Sequence, residues 1–121
     1  MVKKYGLFVF LLLFIPGKLM AEIKDPLAAG PNIYRIQFEN EKTRVLDAHY
    51  RPGQKSEIHS YPDHLLYVIE SSRLREIFED GHYQDTQPKV GELTWIKAGV
   101  HSLENLGDTD YHAFLVEIKS K

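Results

Sequence analysis

Short runs of alternating or continuous apolar residues occupy most of the chain after residue 33. Tyr34–Glu39 alternates apolar and polar side chains, and so do parts of Thr43–Tyr50, whereas residues 65–69 are all apolar. Alternation is typical of a strand with one buried face, and a short unbroken apolar run fits a strand that is buried on both faces. Because no long segment has helical periodicity, we expect strands throughout this region.

Turn residues separate these runs at close intervals, as at Pro52-Gly53 and Asp80-Gly81. Further strands are predicted at residues 73–79, 93–96, 101–105 and 111–119. Short strands with turns this frequent predict an all-β sandwich or barrel. We therefore expect one β-barrel domain over residues 34–121.

The first 21 residues differ from the rest of the chain. Lys3 and Lys4 precede nine apolar residues at 7–15, and Ala21 offers a small residue to a signal peptidase. This pattern is typical of a secretory signal peptide, because the apolar run is too short to span a bilayer. The alternative is an uncleaved N-terminal anchor. We expect cleavage near residue 21, a secreted or periplasmic protein without membrane attachment, and an N-terminal arm over residues 22–33.

Net charge and cysteine content narrow the range of functions. Without residues 1–21 the chain has 12 basic and 17 acidic residues, which gives a net charge of −5. An acidic domain without basic clusters argues against a nucleic-acid partner. The chain has no cysteine, so disulfides, thiol catalysis and thiolate metal ligands are excluded.

Three histidines lie in two strand-like segments that are far apart in the sequence. The first segment contains His59 and His64, and the second contains His101. A short turn at Pro62-Asp63 predicts a hairpin in which the strand that begins at His64 pairs back on the strand of His59. If the fold also brings His101 close, three imidazoles suffice to bind Fe(II), Zn(II), Cu(II) or Ni(II) with open coordination positions. The alternative is that these histidines only satisfy polar groups inside the barrel.

The sequence around these histidines resembles the two-part signature of the cupin superfamily. The two parts read Gly53-x5-His59-x-Tyr61 and Gly91-x5-Lys97-x-Gly99-x-His101-x3-Asn105. The resemblance extends over residues 33–119 and is strongest to small single-domain cupins similar to a β-alanine degradation protein. It implies a jelly-roll barrel of antiparallel strands with a divalent metal in its lumen.

Two departures from the cupin signature alter the implied metal site. Tyr61 stands where a second histidine is usual, and His64 falls one residue before the usual position of a carboxylate. The resemblance therefore implies a neutral site of His59, His64 and His101, with Tyr61 beside it as a hydrogen-bond donor, a catalytic residue or an occasional ligand. Asn105 is expected to orient its loop through hydrogen bonds to the backbone.

Two histidines outside the signature are assigned lesser roles. His49 precedes the first motif and is a weak candidate for contact with a metal ligand. His112, near the start of the last strand, is expected at the surface or at an interface.

Three functions are consistent with these residues. The first is a small metalloenzyme, with oxygenase chemistry as one option, that acts on a small organic acid. The second is a module that binds a ligand or metal without catalysis, and the third is a structural barrel whose function lies in a dimer face. A homodimer is expected in each case, because the edge strands of a small sandwich favour pairing.

Overall fold

The computed structural model describes residues 23–120, which form one short helix and nine strands. The elements are α1 (Pro26–Ala29), β1 (Tyr34–Glu39), β2 (Thr43–Tyr50), β3 (His59–Tyr61), β4 (His64–Glu70), β5 (Leu74–Phe78), β6 (Tyr83–Thr86), β7 (Leu93–Ile96), β8 (Gly99–Asn105) and β9 (Tyr111–Ile118). The predicted signal peptide at residues 1–21 lies outside the described residues. Within them, no helix is long and apolar enough to cross a membrane.

The strands form two antiparallel sheets, which confirms the predicted all-β fold. The first sheet has five strands in the order β1-β2-β9-β4-β7, and the second has four strands in the order β3-β8-β5-β6. Each sheet contains one pair of consecutive strands, β1 with β2 and β5 with β6, and the other pairs join distant parts of the chain, as in the pairing of β2 with β9 over their full length. The two sheets enclose a single apolar core.

Side-chain alternation places the core between the sheets. Along β9, the buried residues Tyr111, Ala113, Leu115 and Glu117 alternate with residues that are more exposed. Successive side chains of a strand point to opposite faces, so this alternation assigns one face of β9 to the interior. The buried core residues are Ile33, Tyr34, Leu46, Ala48, Tyr50, Val68, Leu74, Tyr111, Ala113 and Leu115.

The predicted hairpin between β3 and β4 is wrong, because these strands lie in different sheets. β3 pairs with β8, whereas β4 pairs with β7 and β9. The two-residue turns that close hairpins need a positive φ at one or both turn residues, and proline is fixed near −65°. Pro62 therefore excludes such a turn at the first position, and no non-glycine residue in the described chain has a positive φ. The chain crosses instead from one sheet to the other.

The segment predicted as an N-terminal arm packs on the free edge of β3. The Asp25 carboxylate accepts a hydrogen bond from the backbone N–H of Leu27 and caps α1. The backbone N–H of Ser60 donates to the carbonyl of Lys24, and the N–H of Glu57 donates to the carbonyl of Ala29. These bonds satisfy backbone groups that an edge strand would otherwise expose.

Candidate metal centre in the barrel lumen

The three histidines of the predicted site come from both sheets. His59 and His101 lie directly opposite each other on β3 and β8, with ring centroids 4.9 Å apart. His64 is the first residue of β4 in the other sheet. His59 and His64 are buried, and His101 is partly buried.

Each of these rings is held through its Nδ1 atom. The Nδ1 atoms of His59 and His64 lie 2.9 and 2.8 Å from the carbonyl oxygens of Glu57 and Pro62. Because a carbonyl oxygen only accepts, both Nδ1 atoms must donate, and in a neutral ring Nε2 is then the atom with a free lone pair. Histidine ligands of metals show the same arrangement, with one nitrogen hydrogen-bonded and the other on the metal. The donor chemistry of these residues therefore fits a metal ion.

Burial keeps two of the three imidazoles neutral. Loss of solvent lowers the pKa of His59 to about 4, and the nearby His101 adds to this effect. Burial also lowers the pKa of His64. A neutral imidazole is the form that binds metals, so both rings are available as ligands at neutral pH.

Glu76 holds the ring of His101, and sequence reasoning missed this contact. Its Oε2 atom accepts a hydrogen bond from Nδ1 of His101 at 2.6 Å. A carboxylate behind an imidazole fixes its orientation and raises its basicity. One signal in the sequence could have indicated an inward-facing carboxylate. Glu76 lies two positions after Leu74 on the same strand face, and Leu74 belongs to the core. Finding the contact also needs the pairing of β5 with β8, which brings together distant parts of the chain.

Tyr61 lies between His101 of one sheet and His64 of the other. Its ring centroid is 4.4 Å from that of His101 and 5.4 Å from that of His64. The tyrosine packs over its cross-strand partner Gly99, where an added Cβ would lie 2.7 Å from the phenolic oxygen. Burial raises the pKa of Tyr61, and the carboxylate of Glu76 raises it further. Tyr61 therefore remains protonated and can donate a hydrogen bond into the cavity.

The cavity beside Tyr61, His64 and His101 has a volume of about 220 Å³, and His59 is not among its lining residues. It is lined by Tyr61, His64, Glu76 and His101 together with Tyr34, Ala48, Tyr50, Leu66, Leu74, Gln84, Thr86, Pro88, Ile96, Leu103, Tyr111 and Leu115. Among these described lining residues there is no lysine or arginine. A carboxylate bound in this cavity would therefore contact no lysine or arginine side chain from its described lining.

A second cluster of potential metal ligands differs from the lumen histidines in the spacing of its ligand atoms. Within residues 23–120, one group of three His, Asp or Glu side chains has ligand atoms that all lie within 4.8 Å of one another, namely His49, Glu70 and Asp110. The three lumen histidines do not meet this criterion as a set. A lumen ion would therefore require their rings to approach one another.

Asn105 has the role expected for it. The Nδ2 atom of this buried side chain donates to the carbonyls of Tyr50 and Thr109, and its Oδ1 atom accepts from Ser72 Oγ and from the backbone N–H of Gly107. All four bonds lie between 2.7 and 2.9 Å. Asn105 thus fixes the loop between β8 and β9, as predicted.

Comparison with solved structures identifies the fold. A cupin domain from Bordetella pertussis Tohama I is 20% identical with a TM-score of 0.68, and the alignment covers 83% of this chain and 99% of that one. A conserved protein with a double-stranded β-helix domain from Klebsiella pneumoniae is 23% identical with a TM-score of 0.55, covering 74% and 84%. A cupin family protein from Methanocaldococcus jannaschii is 16% identical with a TM-score of 0.55, covering 71% and 78%.

These similarities show that the chain has the cupin, or double-stranded β-helix, fold. No protein-family model matches the chain, and no curated protein matches it. The resemblance to cupins similar to a β-alanine degradation protein stays a prediction.

Proposed function

We propose that the barrel lumen binds one divalent first-row metal ion through His59, His64 and His101. The observation that carries the proposal is that each ring is held through Nδ1, two of them by backbone carbonyls, which leaves Nε2 as the ligand atom. Nitrogen ligands suit Fe(II), Zn(II) and Ni(II). We propose further that the centre acts on a small organic molecule, with an organic acid as the first candidate.

The metal would supply positive charge and Lewis acidity in this cavity. Three neutral imidazoles cancel none of the charge of a divalent ion, and the Glu76 carboxylate behind His101 offsets only one unit of it. The remaining positive charge would attract an anionic ligand and make bound water more acidic. This property suits a carboxylate, since the described residues that line the cavity include no lysine or arginine.

The chain's own residues would position the ligand and restrict water. Tyr61 would donate a hydrogen bond from its hydroxyl to a ligand oxygen. Glu76 would hold the His101 ring. The apolar lining, including Leu66, Leu74 and Leu103, would contact the carbon skeleton of the ligand and exclude bulk water.

Metal stoichiometry tests the first part of this proposal. The chain without residues 1–21 is purified, stripped of metal, reconstituted with Fe(II), Zn(II) or Ni(II) in turn, and measured by elemental analysis. The His101→Ala variant should bind one equivalent of metal ion fewer than the wild type, because the substitution removes one of the three ligands. The matched control is His82→Ala, which alters an exposed histidine and should retain that equivalent. If His101→Ala retains it as well, the lumen site is contradicted.

Turnover tests the second part. The Fe(II) form should consume oxygen, or another loaded form should convert a member of a small carboxylic-acid library, and Tyr61→Phe should slow that reaction with metal content unchanged. Binding of the acids without any conversion would contradict the enzyme and indicate a binding module. Secretion or periplasmic location, and assembly as a homodimer, stay predictions.

A further inference from the structure

We propose that His49, Glu70 and Asp110 form a second divalent-cation site on the outer face of the five-stranded sheet. This outer cluster is separate from the lumen and does not depend on the function proposed above. Its ligand atoms all lie within 4.8 Å of one another.

Three adjacent strands bring the outer cluster together. His49 on β2 pairs in register with His112 on β9, which pairs in turn with Glu70 on β4. Tyr50 and Tyr111, the neighbours of the two histidines, are buried in the core, so the histidines point to the opposite face. Asp110 directly precedes β9 and reaches the same place.

A β-bulge directs Glu70 to the outer face. His64, Leu66 and Val68 line the interior side of β4, and regular alternation would turn Glu70 inward as well. The register of β4 against β9 shifts between Val68 and Glu70, where one extra residue is inserted. Bulges re-aim side chains in this way and occur often beside functional sites. Here the bulge places an acidic side chain next to His112 instead of in the core.

The distances within the cluster suit a metal ion. Nε2 of His49 lies 2.8 Å from Oδ2 of Asp110. Two ligand atoms that share one tetrahedral zinc ion, each at about 2.0–2.2 Å, lie about 3.3–3.6 Å apart. An ion can therefore replace the proton shared by His49 and Asp110 after a small movement of either side chain.

His112 supports the cluster without being one of its ligands. Its ring stacks on His49 with centroids 4.8 Å apart and an interplanar angle of 17°. Nε2 of His112 contacts Oδ1 of Asp47 at 2.6 Å, and Asp47 also pairs with Arg35 at 3.1 Å. These contacts fix His112, which then holds the imidazole of His49 in place.

The donor set defines the class of cation. One imidazole nitrogen and two carboxylates suit a divalent ion of intermediate hardness such as Zn(II), and the two negative charges neutralise it. Glu70 is exposed, and a cavity of about 200 Å³ adjoins His49 and His112. The ion would therefore keep coordination positions open to water.

Zinc binding to the chain without residues 1–21 tests this proposal. Equilibrium dialysis with Zn(II) is compared for the wild type and for Glu70→Gln with Asp110→Asn. The double variant should lose one equivalent, or bind it at least 10-fold more weakly. Asp108→Asn, which changes an exposed acid in the same loop, should bind as the wild type does. His101→Ala should retain this equivalent, so failure of the lumen site is distinguishable from failure of the outer one.

Diffraction from zinc-soaked wild-type crystals gives an answer that does not depend on how the variants fold. The proposal predicts an anomalous peak about 2.0–2.2 Å from His49 Nε2 and from a carboxylate oxygen of Asp110. The absence of such a peak, or an unchanged zinc stoichiometry in a folded double variant, would overturn it.

Discussion

In the lumen, two of the three histidine rings are anchored by backbone carbonyls and the third by the carboxylate of Glu76, whereas on the outer face the ring of His49 is anchored by the carboxylate of Asp110. His59 and His64 each bond the carbonyl two residues earlier and are buried, while His49 bonds Asp110 and is about one third exposed. Burial penalises charge, so the lumen favours neutral rings and few carboxylates. At the surface, water stabilises acidic side chains, and two of them can gather beside one imidazole. The two proposed centres would therefore differ in charge, with a cationic metal site in the lumen and a charge-neutral one on the outer face.

The largest expected effect comes from the residue that connects the two regions. Asn105 lies on β8 and donates to the carbonyl of Thr109, next to Asp110. Asn105→Ala should lower the free energy of unfolding by about 3–4 kcal/mol, because several buried polar groups would lose their partner. Urea denaturation measures this change. Asn40→Ala, at an exposed turn, should cost only about 1 kcal/mol, and equal losses in the two variants would contradict the role of Asn105.

A fall in pH should lower the free energy of unfolding of the metal-free protein. Burial lowers the pKa of His59 from its ordinary value of 6.5 to about 4 in the folded protein, so between these pH values the unfolded chain binds a proton that the folded chain does not. Stability is therefore retained above pH 6.5 and falls as the pH drops toward 4, by up to about 3 kcal/mol.

Urea midpoints across this pH range measure the effect in metal-free protein. His59→Asn keeps a donor near the position of Nδ1 but cannot titrate, so its stability should decline less on acidification. An identical slope for this variant and the wild type would exclude His59 as the cause. The His82→Ala variant should follow the wild type.

Removing the carboxylate behind His101 should affect the lumen alone. Glu76→Gln keeps a hydrogen-bond acceptor but loses the charge, and it should weaken metal binding in the lumen by about 10–100-fold. Competition with a chromophoric chelator measures the affinity. The zinc affinity of the site formed by His49, Glu70 and Asp110 should be unaffected. A similar loss of affinity at both centres would contradict their independence.

The smallest effect is expected at Gly99. In Gly99→Ala the new Cβ would meet the Tyr61 hydroxyl, and the far end of that side chain can move away. We expect a loss of about 1 kcal/mol or less, with changed ligand binding in the lumen and unchanged zinc binding outside. Crystallography of the variant would show the displaced ring, and an unmoved Tyr61 would contradict this explanation.

The sequence predicted the strands well because alternation is a local property. Tyr34–Glu39 forms β1 as expected, and the strand predicted at residues 73–79 is observed as Leu74–Phe78. The turn at Pro62 was misread, because the pairing of β3 with β8 depends on distant contacts. His49 was only a weak candidate for contact with a metal ligand of the lumen, and the structure places it on the outer face, against His112 and Asp110.

The side-chain partners at the two centres were less predictable than the strands. The contact between Glu76 and His101 requires the register of β5 against β8, which no local pattern reveals. The position of Glu70 depends on a bulge that interrupts the alternation of β4. Both features arise from the pairing of strands that are distant in the sequence. The first places the carboxylate of Glu76 beside His101, and the second places that of Glu70 beside His112.

X-ray absorption spectroscopy tests the central claim most directly. The Glu70→Gln, Asp110→Asn variant loaded with one equivalent of Zn(II) isolates the lumen. We predict a first coordination shell with three imidazole nitrogens at about 2.0–2.1 Å, completed by water oxygen. A shell with fewer than three imidazoles, or no tightly bound zinc at all, would contradict a metal centre built from His59, His64 and His101.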